Sequence, residues 1–105
     1  MFNKEFKILI LEIIKNEYAH NPEDGEIISK QIKMNYKGDV DLILDFNGIT
    51  SVNTAFANKI VHGLYENYST EILNKYFKLR NYNELILKTF QKVIENYKEV
   101  KNDLQ

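Results

Sequence analysis

Three apolar segments of the chain have the pattern of buried β-strands. Residues 6–14 are rich in isoleucine and leucine with little polar alternation, as in a strand covered on both faces. Residues 40–46 place four apolar side chains on one face and Ile43 on the other, which predicts a central strand. A third strand is predicted over residues 76–80, where aromatic and aliphatic residues alternate with basic ones.

Three further segments have the spacing of amphipathic helices. Asp24 is predicted to cap a first helix that ends near residues 36–38. A second helix is predicted from Val52 onward, because apolar residues recur there every three or four positions. Asn81 or Asn83 is predicted to cap a last helix. The apolar positions are Ile27, Ile28, Ile32 and Met34 in the first helix, Val52, Ala55, Phe56, Ile60, Gly63 and Leu64 in the second, and Ile86, Phe90, Val93 and Tyr97 in the last.

The predicted order is strand, helix, strand, helix, strand, helix. Alternating strands and helices imply a mostly parallel sheet with right-handed crossovers. We therefore predict a two-layer α/β fold, with a small sheet, helices packed mainly on one face, and one domain over residues 1–105. The charged tail at residues 98–105 is expected to fray. Helices on one face leave the other face or an edge strand uncovered, which suggests a homodimer.

Composition removes several classes of function. The chain has no cysteine, which excludes disulfides and thiolate chemistry. Its formal net charge is −1 and Arg80 is its single arginine, so nucleic acid is not expected as a partner. The longest apolar run is interrupted by Glu12 and is far shorter than the roughly 20 residues of a membrane span. With no signal-peptide pattern at the start, we expect a cytoplasmic protein without a membrane partner.

The most informative chemistry lies where the central strand gives way to the second helix. The strand ends at Asn47-Gly48, and the helix then opens beneath small polar side chains. Free N–H groups and the positive end of the helix dipole meet there, which favours binding or carrying an anion. Ser51, Asn53 or Thr54 could instead only cap the helix, and both interpretations stay open.

Other polar residues give no catalytic set. Asp45 lies on the strand face opposite the core residues, where its carboxylate can accept loop N–H bonds, and we interpret it as structural. His20 and His62 have no acid or metal partner at short spacing. Phosphate loops, nucleophile elbows and zinc-ligand spacings are absent from the sequence. We predict a protein that is not an enzyme, with no catalytic residue, metal or cofactor.

Three segments resemble a known family over residues 6–93. The central strand and turn read Leu42-Ile-Leu-Asp-Phe-Asn-Gly-Ile49, similar to the family pattern Val-Leu-Asp-Phe-x-Gly-Val. The helix opening reads Asn53-Thr-Ala-Phe-Ala57, and the final strand with its asparagine turn reads Lys78-Leu-Arg-Asn81. The chain thus resembles a STAS domain, the fold of anti-sigma-factor antagonists. It is most similar to the small STAS-like family of unknown function found in bacteria.

The resemblance implies a regulatory role in signalling. In the antagonists the matching helix starts with Asp-Ser, and the serine is phosphorylated by a partner ATP-dependent kinase. Asn53 and Thr54 stand at these positions here, so the resemblance implies a module that docks a GHKL-type ATP-binding kinase, with Thr54 as phospho-acceptor. The alternative is a sensor that binds an anion or nucleotide and signals through a dimer. For either role the predicted rim consists of Asp45, Asn47, Gly48, Ser51, Asn53, Asn58 and Lys59.

Overall fold

Strands and helices alternate along most of the computed structural model, which describes residues 4–103. The strands are β1 (Glu5–Leu9), β2 (Tyr18–Ala19), β3 (Asp41–Asp45), β4 (Ser51–Val52) and β5 (Phe77–Arg80). The helices are α1 (Ile10–Ile14), α2 (Pro22–Asn35), α3 (Thr54–Asn67), α4 (Thr70–Tyr76) and α5 (Glu84–Asp103). Within these residues, no helix combines the length and the hydrophobicity that a membrane crossing needs.

The three longer strands form one parallel sheet in the order β1-β3-β5. Leu42 of β3 lies between Phe6 of β1 and Phe77 of β5 in this register. The two short strands β2 and β4 pair in parallel as a separate ladder. The prediction of an α/β chain with a small, mostly parallel sheet and a central strand at β3 is confirmed.

The core lies on one face of this sheet. Apolar residues from β3 and from the helix stripes form one cluster there, and the ring of Phe46 meets that of Phe90 edge-on at 5.5 Å between centroids. The fully buried large side chains are Phe46, Phe56, Phe90, Ile10, Ile28, Ile32, Leu42, Ile43, Leu44, Ile60, Leu64 and Ile86. All of these except Ile43 belong to the cluster, so the helices cover one face, as predicted.

The opposite face of the sheet is covered by its own charged side chains. Ile43 is 1% exposed although it lies outside the core cluster, and Lys7 and Lys78 flank it in register. Arg80 of β5 forms an ion pair with Glu5 of β1 at 3.2 Å, and a pair that joins the two edge strands must cross over β3. Long side chains can bury apolar surface under their aliphatic stems in this way. The homodimer stays a prediction.

α2 and α3 pack closely against each other at two glycines. A Cβ at Gly25 would lie 2.5 Å from the carbonyl oxygen of Phe56, and one at Gly63 would lie 1.7 Å from Oγ of Ser29. Distances below 3.0 Å leave no room for a side chain unless an atom shifts. The absence of a side chain at both positions therefore lets the helices pack this closely.

The first predicted strand is only partly correct. β1 ends at Leu9, and residues 10–14 form the short helix α1, which ends at Lys15 in the left-handed region with φ 56°. β1 is also an edge strand with one covered face, because Glu5, Lys7 and Leu9 are exposed on the other. An apolar run of this length does not by itself separate strand from helix.

Two predicted helix starts are wrong by a few residues. Asn21, not Asp24, caps α2 by accepting a hydrogen bond from the N–H of Glu23 at 2.9 Å, and Pro22 fills the first helical position. Val52 belongs to β4 and α3 begins only at Thr54. Within α2, Ile28 and Ile32 are buried, whereas Ile27 is exposed and Met34 is 81% exposed.

The C-terminal third contains one helix that sequence reasoning missed. α4 begins after Ser69, whose Oγ accepts from the N–H of Ile72, and it ends at Tyr76, where the third strand was predicted to start. α5 is capped by Asn83 and continues to Asp103, and the fraying of residues 98–105 stays a prediction. Residues 104–105 of that predicted tail lie outside the described residues.

Candidate functional site

Thr54 is the first residue of α3 and is exposed to solvent. The preceding Asn53 caps the helix, because its Oδ1 accepts from the N–H of Phe56 at 2.9 Å. Asn53 is itself held by β2, since its side chain donates to the carbonyl of His20 and its N–H donates to that of Ala19. The capping interpretation is therefore confirmed for Asn53. The hydroxyl of Thr54 makes no hydrogen bond to another residue in the range 4–103.

The β2–β4 pairing brings Ser51 and His20 together. Nε2 of His20 lies 2.7 Å from Oγ of Ser51, in a hydrogen bond whose donor depends on the ring tautomer. One residue earlier, the hydroxyl of Thr50 donates to Oε1 of Glu17 at 2.9 Å. Sequence reasoning treated His20 as isolated, since 31 positions separate it from Ser51 and no local spacing indicates the contact.

Asp45 ends β3 with a buried carboxylate that is only 6% exposed. Its Oδ1 accepts from the N–H of Asn47 and from the side-chain amide of Asn81, both at 2.9 Å. Burial would raise the pKa of this carboxyl, but these two hydrogen bonds oppose it, and Lys7 and Arg80 add to their effect. The pKa of Asp45 consequently lies below its ordinary value of 3.8. This geometry supports the structural interpretation of Asp45.

The segment after β5 contacts both the end of β3 and the residue before β4. Asn81 adopts the left-handed region with φ 55°, and from there its amide reaches Asp45. Asn83 caps α5 at the N–H of Ile86, while its side-chain amide donates to the carbonyl of Thr50 at 2.9 Å. Sequence reasoning considered Asn83 only as a cap, and Asn81 either as a cap or as the turn after the last strand. The tolerance of asparagine for positive φ was the signal that distinguishes Asn81 from a cap.

The space for a ligand beside Gly48, a residue of the predicted rim, is smaller than the sequence suggested. Its φ of 82° requires a glycine-like backbone, and a Cβ there would lie 2.6 Å from Cδ2 of Leu11. The side chain of Leu11 thus fills the space next to Gly48 that we expected a ligand to use. Asn47 remains exposed beside it.

Asn58 and Lys59 lie beside two adjoining grooves along α3. Thr54, Asn58 and His62 follow at intervals of four and line a cleft of about 580 Å³ between α3 and the end of α5, where Lys101 lies. Lys59 lines a groove of about 600 Å³ between α2 and α3, and Asn58 and His62 line this groove too. The two grooves therefore adjoin along α3, with Asn58 between Thr54 on one side and Lys59 on the other.

The N-terminus of α3 differs electrostatically from those of the other described helices. Its first turn has no acidic residue. The first turns of the others contain Glu12 in α1, Glu23 and Asp24 in α2, Glu71 in α4 and Glu84 in α5. Because an acidic side chain offsets the positive end of the helix dipole, that end stays uncompensated in α3. In the described residues, no group of three or more histidine, aspartate or glutamate side chains is placed to hold a metal ion.

One comparison with known proteins gives a match. Residues 24–87 match the profile of a family described as a STAS-like domain of unknown function (DUF4325). The matched range is more than half of the chain and contains β3, the turn at Gly48, α3 and β5. Searches of curated proteins and of solved structures found no match.

Proposed function

This chain belongs to the family of STAS-like domains of unknown function, and from that premise we propose that it is a non-enzymatic protein-interaction module. It docks an ATP-binding, kinase-like protein through the surface around the start of α3. Thr54 is the phospho-acceptor that switches this contact.

The observation that carries the proposal is the free hydroxyl of Thr54 at a fixed helix start. Thr70 has the same position in α4, following its cap residue Ser69, and is also exposed. The two sites differ in charge, because Glu71 follows Thr70 whereas the first turn of α3 has no acid. A phosphate brings about −1.5 to −2 charges, which favours the helix start without a carboxylate.

The same geometry explains how a phosphate acts on the partner rather than on the fold. Asn53 ties the start of α3 to Phe56, Ala19 and His20 by hydrogen bonds, so the charge is added to a rigid surface. The dipole of α3 tolerates the new charge, while an apolar or acidic partner surface is repelled by it. Phosphorylation then dissociates the complex.

Intact mass tests this proposal with a matched control. The protein is incubated with ATP and a GHKL-type ATP-binding kinase from the same cell, in parallel with Thr54→Ala and Thr70→Ala. We expect one added phosphate on the wild type and on Thr70→Ala, and none on Thr54→Ala. No added phosphate on the wild type, or an unchanged phosphate on Thr54→Ala, contradicts the proposal.

A second candidate function is sensing of a small anionic ligand. The cleft of about 580 Å³ beside Thr54 favours it, because the basic side chain of Lys101 lines this cleft, while the carboxylate of Glu66 in the same lining lies 3.8 Å from the ring of His62. A thermal-shift screen with phosphates and nucleotides separates the two candidates. Stabilisation by one of these compounds supports sensing, and a flat screen supports protein docking.

A further inference from the structure

We propose that the free edge of β5 is a second docking surface, which binds an extended segment of a partner protein that alternates apolar and acidic side chains. This surface is separate from Thr54 and does not depend on phosphorylation. Its three components are unpaired backbone groups, an apolar groove on the helix side and two basic side chains on the open side.

In the described part of the chain, the backbone of β5 leaves the N–H and carbonyl of Leu79 unpaired along its outer edge, whereas the N–H of Phe77 donates to the carbonyl of Leu73. Among residues 4–103, β5 pairs only with β3 and is an edge of the sheet. The carbonyl of Arg80 accepts from the N–H of Phe46 at 2.8 Å, so the backbone groups of Arg80 face β3. These groups alternate in direction along a strand, and those of Leu79 therefore face away. An open edge of this kind is a template for an added strand.

An apolar groove of about 310 Å³ runs beside this edge on the helix side. Phe77 and Leu79 of β5 are half-buried and form one wall, while α5 forms the other. The apolar lining residues are Phe77, Leu79, Tyr82, Leu87, Phe90 and Ile94. Every second side chain of a strand added to β5 would point to this side, so apolar residues are expected at those positions.

The remaining side chains of the added strand would lie beside two cations. Lys78 and Arg80 form ion pairs with Asp41 and Glu5, but their side chains stay 50% and 45% exposed. Opposite charges on neighbouring strands stabilise a pair and like charges destabilise it. Acidic residues are therefore expected at the alternate positions of the partner segment.

The same charges disfavour a second copy of this chain as the occupant. Directly opposite residues of an antiparallel pair share a face of the sheet. Two β5 strands, one from each copy, can pair so that apolar side chains face apolar ones. In the registers of this kind with the fullest overlap, Lys78 lies opposite a lysine or an arginine of the copy. Basic side chains on an edge strand are a common protection against self-pairing.

A synthetic peptide that alternates valine and glutamate tests the proposal on the full chain by amide-resolved NMR. We expect it to shift the resonances of β5 and to slow exchange of the Leu79 amide. Methylating the peptide nitrogens that face β5 should abolish binding, while methylating the other set should not. Lys78→Gln should weaken binding about two- to fivefold, and the control Lys33→Gln on α2 should not change it.

Several results would overturn the proposal. If a valine–lysine peptide binds equally well, the basic side chains of β5 do not select acidic residues. If the resonance shifts are confined to α2 and α3, the peptide does not bind at β5. No binding of the valine–glutamate peptide would also overturn it, as would sedimentation that shows the chain dimerising through β5. Thr54→Ala should bind the peptide like the wild type, so failure here is distinguishable from failure of the phosphorylation proposal.

Discussion

The two faces of the parallel sheet are built from opposite kinds of side chain. On the covered face, Leu42, Leu44 and Phe46 of β3 join the helices in one apolar cluster. On the open face, Ile43 is buried among lysine, arginine and carboxylate side chains that pair across the strands. Burial of apolar surface dominates stability, whereas exposed ion pairs contribute little. The covered face therefore carries the stability, and the open face contributes little to it.

The largest loss of stability is expected from a substitution at Phe90, on the covered face. Phe90→Ala removes the ring that meets Phe46 in the core, and we expect it to lower the free energy of unfolding by about 3–5 kcal/mol. Leu85→Ala, at an exposed position of the same helix, should change it by less than about 0.5 kcal/mol. Urea unfolding of both variants measures the difference, and equal effects would contradict the burial of Phe90 in the core.

The close contact between α2 and α3 gives the next largest effect. Gly25→Ala forces a methyl group against the carbonyl of Phe56, and we expect a loss of about 1–3 kcal/mol, because the obstacle is backbone. Gln31→Ala on the exposed side of α2 is the matched control, where alanine should be neutral or slightly stabilising. If thermal unfolding shows that Gly25→Ala is as stable as the wild type, the helices do not pack this closely.

The hydrogen bond between Asn81 and Asp45 should give a smaller effect that depends on pH. Asn81→Gly keeps the left-handed backbone but removes the amide, with an expected cost of about 1–2 kcal/mol at neutral pH. Since the folded pKa of Asp45 is depressed, its contribution is present above the ordinary value of 3.8 and is lost as pH falls through the lower folded value. The stability difference should therefore narrow in acid.

A double variant provides the control for this pH dependence. In an Asp45→Asn background, Asn81→Gly should have a cost that no longer varies between about pH 5 and pH 2. Denaturant unfolding across that range measures both pairs of proteins. A cost that varies equally with pH in the two backgrounds would place the titrating group elsewhere.

The smallest effect is expected on the open face. Lys78→Gln breaks the pair with Asp41, and because the lysine side chain is half exposed we expect a loss of only about 0.2–1 kcal/mol, shrinking as salt is added. Chemical denaturation at low and high ionic strength checks this. A loss larger than about 2 kcal/mol would mean that the open face also carries the stability of the fold.

Sequence periodicity predicted the covered face better than the open one. The alternation in β3 and the stripe of α5 report burial directly, and Ile28 and Ile32 of α2 follow the same rule. Ile27 is apolar but lies outside that stripe, so its exposure depends on the rotation of α2, which composition does not fix. The short helix α4 has too few residues for a periodic signal.

The candidate site was predictable only in part, for a similar reason. Asn53 and Thr54 were identified because a strand that turns into a helix is a local pattern. The contacts of Ser51 with His20 and of Asp45 with Asn81 join residues 31 and 36 positions apart, and strand pairing rather than spacing creates them. The family was recognised from local segments and is confirmed over residues 24–87, while kinase docking and phosphorylation stay proposals.

Amide hydrogen exchange along β5, measured residue by residue on the isolated protein, tests most directly whether the outer edge of the sheet at β5 is free. We expect the Arg80 amide, which faces β3, to exchange as slowly as those of the central strand, and the Leu79 amide to exchange much faster. Equal, strong protection of Leu79 in the isolated, dilute protein would mean that this edge is covered. That result would contradict the free edge on which the proposed docking surface of β5 rests.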